Sequence, residues 1–225
     1  MPQSPHRTIR IFFEKRGRVK YISHLDLMRA MSRAVRRAAL PIWYTEGFNP
    51  KPYLSFPLPL PLGQEGLREA LDLRLLEDIA FDEISLRMNE ALPEGLRVLS
   101  IAEPWHKPGE IAMAAYEITF TAKDFSEVRR RLDNKDELKA RKMGKQGHRK
   151  VEKEIALAPL IFGGCAAIDL YLMDNPAGPE IHMACVLAAG SERNLNPALL
   201  VEALGGEVVS IVRTGLMRKD GGRWE

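Results

Sequence analysis

Between Tyr21 and Lys51 the chain gathers a histidine, four arginines, a lysine and several aromatic rings. His24 carries an imidazole that titrates near neutrality and could act as a general acid or base, with Tyr21 and Ser23 close enough in sequence to assist it. A single histidine near the start of a helix serves equally well as a packed, hydrogen-bonded core residue. No second histidine stands at a ligand spacing, so no metal role is expected. Arg29, Arg33, Arg36 and Arg37 suit phosphate, which a guanidinium grips with two parallel N–H donors. Trp43, Tyr44, Phe48, Tyr53 and Phe56 fall within fourteen residues, with Lys51 among them. Tyr44, Phe48 and Tyr53 could stack on unpaired bases while the cations hold the backbone, or dock a protein instead.

Those side chains need elements to hold them. Ser23 and Asp26 have the spacing of a capping box, which predicts a helix running from Ser23 to Leu40 and stopping before Pro41. At 100° per residue, Leu27, Met28, Met31, Ala34, Val35, Ala38 and Ala39 share one broad face and the four arginines the other, with Asp26 at its start. A loop follows. Gly47 permits a positive φ, Asn49-Pro50 signals a turn, and the prolines of 51–63 keep the chain extended.

Alternating apolar residues predict strands over 7–15, 69–78 and 96–104, the extended 51–63 stands as a further strand before the second of these, and a second helix covers 81–92. The order β-α-β-β-α-β is the ferredoxin-like pattern. A second pass has strands over 115–122, 152–164, 166–174, 180–190 and 207–219, with helices over 124–134 and 196–206. The expected fold is therefore α+β: two ferredoxin-like (βαββαβ-type) units in tandem, with antiparallel sheets and helices on one face. The first unit takes residues 1–104, the second 115–225, and 105–114 forms a connector.

Charge is unevenly spread. Residues 1–60 hold eleven Lys and Arg against three acids, residues 61–112 five against eleven, and residues 135–153 eight against three. The last island contributes Lys142, Lys145, Arg149 and Lys150 as further phosphate-binding candidates. Two basic islands around an acidic stretch fit an anionic partner bound at defined places, and also fit solvated surface. No run of about 18 apolar residues predicts a membrane span. The opening "MPQSPHRTIRIFF" lacks the layout of a secretion signal, and Cys165 and Cys185 have no metal or redox spacing. A cytoplasmic location is expected. There is no Walker A sequence, no GxGxxG, no HExxH and no CxxxCxxC, so the motifs imply no cofactor.

The stretch "RVKYISHLDLMRAMSRAVRRAALPIWYTEGFNPKPYLSFPLPLPLG" closely resembles the opening signature of the bacterial radical SAM-associated (radical SAM-linked) protein family. Ser23, His24, Leu25, Asp26, Arg33, Arg36, Arg37, Pro41, Gly47, Phe48, Asn49, Pro50, Pro52, Ser55 and Gly63 match that pattern, as do "EALDLRL" and "LPEGLRVL". Lys51 stands where the family has histidine, and beyond residue 115 the likeness thins to general layout. The resemblance implies a domain of unknown function, encoded beside or fused to a radical SAM protein, with ribonuclease G and ribosomal proteins among its gene neighbours. It carries over no catalytic residues. Lacking cluster-binding cysteines, this chain would be the partner of the radical enzyme.

Three functions stand open on these grounds. The chain could be an accessory module that binds RNA for a radical SAM enzyme, or a protein–protein adaptor for that enzyme without RNA binding. It could also be a metal-independent endoribonuclease using His24, by analogy with paired ferredoxin-like nucleases.

Overall fold

A computed structural model describes residues 6–146, 149–176 and 178–225, with side chains left undescribed over 142–152. The chain is mixed α+β and divides into two units, Met1–Glu110 with Arg223–Glu225, and Ile111–Gly222.

In the first unit, β1 (Arg7–Lys15), α1 (His24–Arg37), β2 (Leu54–Ser55), β3 (Glu65–Leu75), α2 (Phe81–Ala91) and β4 (Leu96–Ala102) follow in order. The strands lie β4-β1-β3, with β2 paired to β3, and every pairing is antiparallel. The alternation in "RTIRIFFEK" sends Ile9, Ile11 and Phe13 to one face of the sheet. There they meet Leu71, Leu73 and Leu75 of β3 and the buried residues Leu27, Met31, Ala34 and Val35 of α1 and Ile84 and Met88 of α2. This shared burial seats both helices on the sheet.

The opposite face of the same strands holds a different kind of contact. Arg10 and Asp72 are register partners across β1 and β3, and both are buried. The guanidinium donates to the carboxylate twice, Nε to Oδ1 at 2.7 Å and Nη2 to Oδ2 at 2.8 Å, and once to the His106 carbonyl at 3.0 Å. Its plane lies 3.8 Å from the centre of the Trp224 ring, whose Nε1 donates to the Lys107 carbonyl. The last residues of the chain thereby form part of the first unit.

Helix α1 ends earlier than Pro41 alone would require. Ala39 takes a positive φ of 49°, the Leu40 N–H bonds the Val35 carbonyl and the Ala39 N–H that of Arg36. This is a Schellman ending with alanine in the position glycine usually fills. The third strand runs over 65–75, not 69–78, and of the extended segment 51–63 only Leu54 and Ser55 join the sheet.

The second unit contains β5 (Ile111–Ala122), α3 (Phe125–Asp133), β6 (Lys139–Gln146), β7 (Arg149–Ala156), β8 (Asp169–Met173), β9 (Glu180–Ala188), α4 (Pro197–Ala203) and β10 (Gly206–Arg218). Four of these strands lie β10-β5-β9-β8, all antiparallel. Among the described residues, strands β6 and β7 pair only with each other. The strand expected over 152–164 is thus the second arm of a hairpin that ends at Ala156 and gives way to a 3₁₀ turn at Ala158–Leu160. Of the segment 105–114, expected as a connector, residues 111–114 open β5, where Ile111, Met113 and Ala114 are buried. Asp124 and Asn196 cap α3 and α4 through side-chain oxygens, and Pro197 occupies the first turn of α4.

Candidate nucleic-acid interface

The start of α1 is built as its sequence predicts. The Ser23 hydroxyl accepts from the Asp26 N–H at 3.1 Å and donates to the Asp26 carboxylate at 2.7 Å. Hydrogen bonds from the Ser23 hydroxyl and from Arg29 hold that carboxyl below its usual range. Arg29 pairs with Asp26 at 2.9 Å, so one arginine is already matched by an acid.

The other three arginines divide by what they touch. All are exposed. Arg37 donates to the Ala91 carbonyl, an unsatisfied acceptor at the C-terminal end of α2, and so ties the two helices together. Arg36 lies 5.9 Å from the centre of the Tyr44 ring. Among the described residues, neither Arg33 nor Arg36 has a carboxylate within ion-pair distance. Two free guanidinium groups therefore face solvent on the last turns of the helix.

The loop beside them is a small hairpin. Thr45 N–H bonds the Lys51 carbonyl, Tyr53 N–H bonds the Trp43 carbonyl, and Tyr44 bridges to Pro52. The Thr45 hydroxyl accepts from the Lys51 N–H at 3.1 Å. At the tip Gly47 takes φ 129°, a conformation that favours glycine, and Phe48 next to it is fully exposed. Glu46, Asn49, Pro50 and Lys51 are exposed as well.

The base of the hairpin is fixed by a stack. Arg74 on β3 lies 4.4 Å from the Tyr53 ring centre and 5.3 Å from that of Trp43, and those two rings meet edge-on at 5.5 Å. Tyr53 is therefore half-buried scaffold, while Tyr44 and Phe48 are the rings left open to a ligand. Arg74 is a residue that sequence reasoning passed over. Its role depends on β3 running beside the hairpin, as the Trp43 N–H bond to the Arg74 carbonyl shows.

His24 sits apart from the arginine side. Its ring meets Phe56 edge-on at 5.1 Å, and Phe56 in turn meets Phe13. Its Nδ1 is buried without a hydrogen-bond partner among the described residues. Burial, reinforced by the charge of the nearby Lys15, lowers its pKa. Tyr21 is 69 % exposed, and its ring is approached by Lys20 at 5.4 Å.

A pH effect follows from this placement. The fold favours neutral imidazole, so as pH falls below about 6.5 the unfolded chain takes up the proton before the folded one does. The stability His24 contributes is present above that value and is lost as pH falls towards its lowered folded value. Urea titrations at pH 7.5 and 5.5 are expected to show a larger drop in midpoint for the wild type than for His24→Gln.

Lys142, Lys145, Arg149 and Lys150 have side chains outside the described residues; the backbone there forms the β6–β7 hairpin, with Lys145 opposite Lys150. Among the described residues no three His, Cys, Asp or Glu side chains cluster as metal ligands would, and no helix is long and apolar enough to cross a membrane.

The fold and this surface define an α+β protein of two antiparallel-sheet units, whose first unit presents two arginines without acidic partners among the described residues, one of them near the exposed Tyr44 ring. The chain belongs to the family described as "Uncharacterized protein conserved in bacteria (DUF2344)", whose model matches residues 8–197. Among solved structures, a chain from a crystal structure of a Cbf5-Nop10-Gar1 complex is similar with a TM-score of 0.47 at 8 % identity. The match covers 94 % of this chain and 50 % of that one, so this protein spans about half the length of that chain. No curated protein matches the sequence.

Proposed function

We propose that this protein is an accessory RNA-binding protein of the cytoplasm that works with a radical SAM enzyme. One observation carries the RNA reading. Arg33 and Arg36 face solvent without an acidic partner among the described residues, Arg36 lies 5.9 Å from the centre of the exposed Tyr44 ring, and Phe48 stands fully exposed in the same hairpin. Cations left unneutralised beside open aromatic faces combine phosphate attraction with base stacking. The partner rests on the resemblance of residues 18–63 to the radical SAM-associated signature.

We also propose the finer fold reading of two ferredoxin-like units. The element order β1-α1-β2-β3-α2-β4 and the sheet order β4-β1-β3-β2 support it for the first unit. The second unit follows it as β5-α3-β8-β9-α4-β10, with the β6–β7 hairpin inserted after α3.

The adaptor reading draws on Phe48, an apolar ring held wholly in solvent at a hairpin tip. Co-purification from the native host, with and without nuclease, separates the two. RNA retained by the wild type and lost from Arg33→Ala/Arg36→Ala supports the proposal. A nuclease-resistant protein complex without RNA overturns it in favour of the adaptor.

A further inference from the structure

Helix α1 carries an exposed ring at each end. Beyond its C-terminal end stand Tyr44, contacted by Arg36, and the fully exposed Phe48. Before its N-terminal end stands Tyr21, 69 % exposed, with the Lys20 ammonium 5.4 Å from its ring centre and itself paired with Glu65 at 3.6 Å. Between them Leu25, Arg29 and Arg36 recur at helical spacing along one exposed line, with Arg33 beside it. Leu25 is itself 63 % exposed. The result is a cationic track with an aromatic platform at either end, each platform with a cation against a ring.

We infer that this track takes a single-stranded RNA segment laid along α1, its terminal bases stacked on Tyr21 at one end and on Tyr44 or Phe48 at the other. The inference rests on the RNA reading above and narrows it to a substrate class. The reason is which surface each partner presents. A duplex offers phosphates to arginines but hides its base faces inside the stack, so exposed rings gain nothing from it. An unpaired strand offers both. The fourteen residues of α1 span roughly 21 Å at 1.5 Å per residue. Taking that helix length as the scale of the track, a strand at about 3.4 Å per stacked nucleotide needs roughly six nucleotides to run along it.

The test is fluorescence anisotropy with labelled oligouridylates of three, six and nine nucleotides, and with a twelve-base-pair RNA duplex. Affinity is expected to rise sharply from three to six nucleotides and to level off at nine. Tyr21→Ala is expected to weaken hexamer binding about 5- to 150-fold, the range for one lost base stack, while Tyr21→Phe binds like the wild type. A folding defect in Tyr21→Ala would reduce trimer and hexamer binding alike and lower the urea midpoint, whereas a lost stack weakens the hexamer with the midpoint unchanged. A duplex bound as tightly as the hexamer, or a Tyr21→Ala protein indistinguishable from wild type on the hexamer, overturns the single-strand inference and leaves RNA binding standing. Absence of binding to every oligonucleotide overturns both.

Discussion

Replacing Asp72 with alanine is expected to destabilise the first unit by about 3–5 kcal/mol, the range for breaking a buried ion pair from one side. Arg10 is completely buried, and four contacts account for its guanidinium within 4 Å: two to the Asp72 carboxylate, one to the His106 carbonyl, and the face of Trp224 over its plane. Removing the carboxylate leaves a guanidinium in a dry site with a single carbonyl and a ring for compensation. Arginine does not escape by losing its proton, because a guanidinium stays protonated in proteins. The double variant Arg10→Met/Asp72→Leu should behave quite differently, because it removes the desolvation cost together with the attraction. Such replacements range from neutral to stabilising. All three tryptophans, Trp43, Trp105 and Trp224, lie in the first unit, so intrinsic fluorescence during urea unfolding reports on it directly. A loss below about 1 kcal/mol for Asp72→Ala would mean that water reaches the guanidinium, and the pair would then be of the weak surface kind.

That pair also marks the limit of what the sequence discloses. Arg10 and Asp72 are separated by 62 positions, and only the register of β1 against β3 makes them neighbours. Nothing in the local pattern of either strand distinguishes Arg10 from an outward-facing arginine. Trp224 is more hidden still, since a tryptophan near the end of a chain reads as surface until its partner is known. Helix α1, by contrast, was open to reading because its determinants are local. Its cap lies three residues from its acid, and its buried set of Leu27, Met31, Ala34 and Val35 follows the 3.6-residue period. The period also separated the arginines from the core. It could not sort them, since Arg37 finds its acceptor 54 positions away on α2. Strand β6 escaped for the opposite reason. "KARKMGKQ" has little apolar alternation, and its partner β7 supplies the pairing that the pattern does not advertise.

The sorting of the arginines gives the second large effect. Removing both Arg33 and Arg36 is expected to reduce the slope of log affinity against log salt by about 1.4, at about 0.7 per phosphate contact on a single strand. If the two proteins converge in 1 M salt, where such contacts contribute little, the same slope puts the double variant about 25-fold weaker at 0.1 M. The remaining two arginines serve as internal controls because the structure gives each a different employment. Arg29 is already paired with Asp26, so Arg29→Ala should change the slope by less than either free arginine does. Arg37→Ala removes the donor from the Ala91 carbonyl, and should lower the urea midpoint while leaving the slope nearly unaltered. Equal slopes for all four single variants would make the face a diffuse cationic surface. A slope untouched by losing Arg33 and Arg36 together would remove α1 from the RNA contact altogether, and the hairpin would then be left as a docking site for protein.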